Sequence, residues 1–177
     1  MSNSILEAIK FKKLSPEDSK KYRAIRLESL QEYPHHFGST YQEQKQKEKL
    51  FFEGLIETSH SECFVIGAFL NNTLIGICAF YKFSDERYKH RGEILQMYVQ
   101  PKYQHHKIGF NLLQAAIKEA FKTTHLEQIE LEVITSAKSA NQIYKKVGFQ
   151  ECGRLRKFLK HDAVYYDKRS MVLRRPS

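Results

Sequence analysis

The run Ile94-Leu-Gln-Met-Tyr-Val-Gln-Pro-Lys-Tyr-Gln-His-His-Lys-Ile-Gly-Phe-Asn-Leu-Leu113 constrains this chain more than any other segment. A β-rich apolar stretch stops at Pro101, a short polar loop follows to Gly109, and apolar residues then recur at helical spacing. The pattern predicts a buried strand delivered through a loop into an amphipathic helix carrying Leu112, Leu113, Ala116, Ile117 and Ala120. The first N–H groups of a helix have no intrahelical partner, and the helix dipole adds partial positive charge at that end. Such a loop suits a diphosphate.

The rest of the chain alternates strand and helix signals. Ile9–Leu14 reads as an edge strand, and Ser15-Pro-Glu-Asp as a helix start with a Ser cap and a first-turn Pro. A second helix is expected from about Thr40 through Leu55. Two β-rich runs, Cys63–Phe69 and Thr73–Tyr81, flank Asn71-Asn72 as a hairpin would. Ile129–Ile134 alternates as a strand, Ala140 to Val147 reads as a helix ended by Gly148, and two closing strands cover roughly 150–158 and 164–173. Without repeats or linkers, 177 residues in this order predict one α/β domain over 1–177, with a mixed sheet.

The second informative run is Leu131-Glu-Val-Ile-Thr-Ser-Ala-Lys-Ser-Ala-Asn-Gln-Ile-Tyr-Lys-Lys-Val-Gly-Phe149. Together the two runs resemble the GNAT superfamily of acetyl-CoA-dependent N-acetyltransferases. The element order extends the resemblance to most of the chain, and implies a mixed central sheet of about seven strands flanked by about four helices. In the family a Gln/Arg-x-x-Gly-x-Gly/Ala segment wraps the pyrophosphate with main-chain N–H groups. The resemblance therefore assigns Gln104, His105, His106, Lys107, Ile108, Gly109 and Phe110 to acetyl-CoA. Lys107 stands where the family has its first glycine. It adds a charge towards the diphosphate, but crowds the loop if that position needs a positive φ. Met97, Tyr98 and Val99 are the implied edge for the amide-rich pantetheine arm.

The motif Ala-x-x-hydrophobic-Tyr-x-x-x-Gly-Phe matches Ala140, Ile143, Tyr144, Gly148 and Phe149. The resemblance gives Tyr144 the role of proton donor to the departing thiolate, and an ordinary tyrosine is protonated at neutral pH. A core tyrosine is the competing reading. The family often carries Asn seven positions before this Tyr; Ala137 occupies that place here, and Asn141, one helical turn on, is the substitute considered for the pantetheine. The resemblance gives Glu132, in the Leu-Glu-Val strand, the part of general base; Glu93 is the other candidate, and both could equally be surface strand residues. The acceptor side is expected around Arg26–Gly38 and Tyr165-Tyr166-Asp167.

The formal net charge of +9 favours anionic partners, of which a polyphosphate cosubstrate is one. The basic residues are spread out and carry no recognition motif, which argues against a nucleic-acid-binding module. Three scattered cysteines, no metal-ligand spacing, no signal-peptide pattern and no long apolar run suggest a metal-free cytoplasmic protein without membrane attachment. The expected activity is acetyl transfer from acetyl-CoA to a primary amine of a small molecule, peptide or protein, by direct attack in a ternary complex. An acyl-CoA-binding domain with little or no transferase activity is the alternative, and a homodimer stays open.

Overall fold

The computed structural model describes residues 2–176. Seven strands form one sheet in the order β1-β2-β3-β4-β5-β7-β6. They are β1 (Ile9–Lys13), β2 (Phe64–Leu70), β3 (Thr73–Lys82), β4 (Arg91–Val99), β5 (Gln128–Ile134), β6 (Gln150–His161) and β7 (Val164–Arg174). All neighbours are antiparallel except β4 and β5, which the intervening helix joins as a parallel crossover. The helices are α1 (Ser2–Glu7), α2 (Ser19–Glu32), α3 (Tyr41–Gln46), α4 (Phe51–Glu57), α5 (Ile108–Ala120) and α6 (Lys138–Val147). The mixed seven-stranded sheet is the expected one. The described helices number six rather than about four.

The sheet separates two hydrophobic cores. On one face α5 and α6 bury Ile108, Leu112, Leu113, Ala116 and Tyr144 against Ile75, Ile94 and Leu131. On the other, Tyr22 and Ile25 of α2 and Phe52 and Ile56 of α4 pack on Val65, Ile77 and Tyr98. Strand side chains alternate between these faces, so each strand of the middle of the sheet serves both cores.

The helix expected over Thr40–Leu55 is broken in two. Lys47 and Leu50 take extended backbone between α3 and α4. The break is held from outside. The Arg23 guanidinium of α2 donates to the Lys47 carbonyl (2.6 Å), the Glu48 carbonyl (3.2 Å) and the Glu53 carboxylate (2.7 Å). That carboxylate also accepts from the Leu50 N–H at 2.8 Å, capping α4. The Ser15 start opens a 3-10 turn, Pro16–Asp18, before α2 rather than an α-helix. There Asp18 accepts from both the N–H and the hydroxyl of Ser15.

Hairpin turns fall where the sequence places them. Asn71 has φ 55° between β2 and β3. The β6–β7 turn uses Asp162 and Ala163, both at positive φ, as a two-residue turn of primed type requires. At the end of α6, Gly148 sits at φ 112°, and its N–H and that of Phe149 both donate to the Tyr144 carbonyl.

Candidate active site

The β4–β5 ladder is short. Arg91–Ile94 pair with Gln128–Leu131, and beyond Ile94 the two strands part. β4 remains paired on its other side to β3 at Leu95, Tyr98 and Val99, and β5 remains paired to β7 through Ile134. Backbone groups of β4 and β5 therefore face each other across an opening instead of bonding. The register shift against β3 between Ile77 and Ala79, and Gln96 at φ 52°, mark a bulge in β4 where the strands diverge. A cleft of about 580 Å³ passes through the sheet at this point. Its walls come from α5, α6 and the loops before them on one face, and from Tyr33, His36 and Phe37 on the other.

At one end of the cleft the loop before α5 supplies donors. The N–H groups of His106 through Phe110 find no main-chain acceptor among the described residues; the first helical bond runs from Asn111 to Lys107. Lys107, the N-cap residue, has φ 60° and ψ 9°, so the position where the family places glycine does adopt the left-handed conformation. Gly109 permits a close approach: a Cβ there would lie 3.2 Å from the Ile143 side chain of α6 and 3.3 Å from that of Met97 of β4, so both would have to give. The glycine lets the first turn of α5 meet both walls.

Met97, Tyr98, Val99, Gln104, His105, Lys107, Ile108, Gly109, Phe110, Glu132 and Tyr144 all line the cleft. The side chain of Gln104 is turned inwards, donating to the Val99 carbonyl (2.9 Å) and the Tyr33 hydroxyl (3.0 Å), so it ties the loop to the end of α2. The His106 and Asn141 side chains are not in the lining. Asn141 is placed differently from the residues that line the cleft. It is buried, its amide nitrogen donates to the Ile134 (3.1 Å) and Ala137 (2.8 Å) carbonyls, and its oxygen accepts from Arg169. It fastens the start of α6 to the end of β5, with its amide N–H groups engaged by main-chain carbonyls.

Tyr144 is 6% exposed, with its ring edge-on to Phe149 and its side chain reaching the cleft. Burial pushes its phenol well above the ordinary tyrosine range, so it stays protonated throughout the neutral range.

The two candidate carboxylates differ in surroundings. Glu132 is on the cleft rim, its side chain 48% exposed and held by Lys168 at 2.6 Å. Glu93 lies one residue before the point where the strands part, level with Glu130 in the adjacent strand. Arg91 and Gln128 both donate to Glu130, whereas no protein donor reaches Glu93 among the described residues. Burial first, and then repulsion from Glu132 and Glu130, push the Glu93 carboxyl up to about 7. A carboxyl raised to about 7 is near the balance that proton transfer at neutral pH favours.

Two features lie within Arg26–Gly38, the segment expected on the acceptor side. Tyr33 stacks on His36 (5.0 Å between ring centroids), and His36, whose pKa burial lowers, abuts His35. Arg26 is 5% exposed, and its guanidinium lies 4.7 Å from the Phe37 ring centroid and 3.3 Å from the Ser29 hydroxyl. Desolvation lowers its pKa to about 10.

Among the described residues no cluster of His, Cys, Asp and Glu could hold a metal ion, and no helix is long and apolar enough to cross a membrane.

Residues 22–149 match the family described as Acetyltransferase (GNAT) family. A curated relative, the spermidine N(1)-acetyltransferase of Thermoplasma acidophilum, is 31% identical over 149 residues, covering 81% of this chain and 89% of its own length. An acetyltransferase of the GNAT family from Streptococcus pneumoniae superposes with a TM-score of 0.80 at 20% identity, over 94% of this chain and 99% of the other. The acetyltransferase yncA from Salmonella typhimurium, whose structure contains its cofactor acetyl-CoA, does so at 0.77 and 14% identity, over 94% and 93%. With a family match that runs from α2 past the end of α6, across every element that walls the cleft, this chain belongs to the GNAT family of acetyltransferases.

Proposed function

We propose that this chain transfers an acetyl group from acetyl-CoA to a primary amine of a small molecule, peptide or protein. The observation that carries the reading is the parting of β4 and β5. It opens unpaired strand edges between a donor-rich helix start at one end and the buried Tyr144 phenol at the other. A long anionic thioester carrier needs those parts in that order: N–H groups for the diphosphate, strand edge for the amide arm, and a proton source at the sulfur. Lys107 adds positive charge at the diphosphate end. The relative with acetyl-CoA in its structure supports the choice of carrier.

In this scheme the acceptor enters from the α2 face. Glu93 takes a proton from its ammonium, directly or through one water. The freed lone pair attacks the thioester carbonyl carbon and the C–S bond breaks. Tyr144 donates its hydroxyl proton to the departing thiolate; the second proton that the nitrogen sheds as the amide forms passes through water to the Tyr144 oxygen, and Glu93 releases its own proton to solvent. No covalent enzyme intermediate is needed, because amine and thioester occupy the two mouths of one cleft.

Thiol release from acetyl-CoA, followed across an amine panel and with product masses determined, tests the proposal. Spermidine belongs in the panel on the strength of the Thermoplasma relative. Release coupled to an acetylated amine is expected. Binding of acetyl-CoA with no release for any amine would replace the transferase reading with that of an acyl-CoA-binding domain.

A further inference from the structure

Gln96 combines three properties that no other cleft residue shares. It is a non-glycine residue at positive φ in the middle of a strand, a conformation that persists only when its surroundings enforce it. It lines the cleft. Its side-chain oxygen is 2.7 Å from the hydroxyl of Tyr22, a residue with no solvent exposure at all.

The Tyr22 contact fixes which way the amide points. The phenol has one proton to donate, and Gln96 Oε1 is its acceptor. Turning the amide over would bring two donors to Tyr22 and strand the phenol proton in the core. So Oε1 is taken, and Nε2 is the free end. It has no protein acceptor among the described residues, yet it is not one of the polar atoms sealed away from solvent. Because Gln96 lines the cleft, the cleft is the space in which Nε2 can find an acceptor. Arg26, whose charge acts on the Tyr22 phenol, is a buried guanidinium with no ion-pair partner among the described residues. Leu95 and Tyr98, to either side of Gln96, pack into the core on the α2 face, which puts this wall on the acceptor side. At this point the side-chain group that Gln96 offers the acceptor is an N–H donor.

We propose that Gln96 reads the acceptor, donating from Nε2 to an oxygen carried close to the reactive amine. This rests on the transferase reading and narrows it. The preferred acceptors are α-amino acids, their amides and peptide N-termini, in which a carbonyl or carboxylate oxygen lies one carbon from the nitrogen. An unsubstituted polyamine offers that wall only ammonium and methylene groups, and leaves the donor without a partner. Tyr22 is a positioning residue that keeps the amide from flipping.

The test compares glycinamide with spermidine. Their ratio of kcat/KM is measured in the native protein, in Gln96→Glu, which keeps the Tyr22 bond but loses the donor, and in Gln96→Met, which loses the donor without adding charge. Tyr22→Phe, which frees the amide to flip, completes the set. Using the ratio cancels differences in intrinsic amine reactivity. The glycinamide preference should fall by about tenfold in both Gln96 variants, and by less in Tyr22→Phe, with CoA affinity unchanged in all three. Titration of the same two amines into the CoA-loaded protein reads the same ratio where no transfer occurs. A preference equal in native and variant proteins overturns the role of Gln96, whichever amine is favoured. Failure of CoA to bind would instead remove the transferase reading, and the amine titrations without CoA would still score Gln96.

Discussion

Glu93 on β4 and Glu130 on β5 are level in the parallel ladder, and the cations go to only one of them. Residues in register across neighbouring strands share a face, so the two carboxylates are close and Arg91 neutralises Glu130 alone. Glu93 is left partly buried beside a second carboxylate, with Lys168 only partly offsetting the effect. As a base it must be ionised, so kcat should rise with pH through about 7 and level off above it. Glu93→Gln should lower kcat by about 10²-fold and erase that acid limb, leaving CoA affinity unaltered. A limb that survives in the variant would assign it to another group.

The same shift has a sign in stability. The folded-state pKa of about 7 is above the ordinary carboxyl value of 4.5, so the folded chain holds a proton on Glu93 that the unfolded chain releases. This stabilisation is complete below about 4.5 and is lost as pH rises through about 7. At pH 8 the buried charge opposes folding, and Glu93→Gln should therefore be more stable than the native chain there. The gain is no more than about 2 kcal/mol after allowing for the partial exposure of the group. Denaturant midpoints at pH 5 and pH 8 check it: the difference between variant and native should appear at pH 8 and nearly vanish at pH 5.

Tyr144→Phe separates chemistry from packing. The ring and its contact with Phe149 are retained, and only the hydroxyl is lost. Turnover should drop by about 10²-fold while the Kd for CoA stays within about twofold. Because burial raises the phenol pKa, the native enzyme should have no alkaline fall in kcat near pH 8–9 from this group. Equal turnover in the two proteins would remove Tyr144 from the donor role.

How far the site was legible in the sequence depended on how local its causes are. The strand–loop–helix around Gly109 and the end of α6 at Gly148 were readable because apolar periodicity and a glycine in a special conformation are properties of adjacent residues. The break between α3 and α4 was not, because Arg23, more than twenty residues earlier, holds the freed carbonyls. Nor was the parting of β4 from β5: both strands have ordinary strand patterns, and glutamine at position 96 gives no hint of a positive φ. Glu132 and Glu93 looked alike because their difference is set by cations, Lys168 on β7 and Arg91 taken by Glu130.

Asn141 should behave as a structural residue. Asn141→Ala leaves the Ile134 and Ala137 carbonyls without their side-chain donor and Arg169 without an acceptor, in a buried place. A loss of about 1–3 kcal/mol in unfolding free energy is expected. CoA affinity, measured at a temperature where the variant is fully folded, should change by less than about threefold, since the side chain does not line the cleft. A stable variant with a large loss of CoA affinity would restore the cofactor role that its position in the motif suggested.

Lys107 sets stability against binding. Its left-handed backbone costs a side-chain-bearing residue about 1–2 kcal/mol, and glycine relieves that while adding about 0.5–1 kcal/mol of unfolded-state entropy. Lys107→Gly should therefore raise stability by up to about 1 kcal/mol. It also restores the glycine of the family motif but removes an ammonium from the donor-rich loop. If that ammonium faces the diphosphate, CoA affinity falls several-fold at low salt, and the deficit shrinks as ionic strength rises, because the lost interaction is a screened one. A variant that is both more stable and tighter for CoA at every salt concentration would show that the loop works through its backbone donors alone, and that the lysine charge plays no part in holding the carrier.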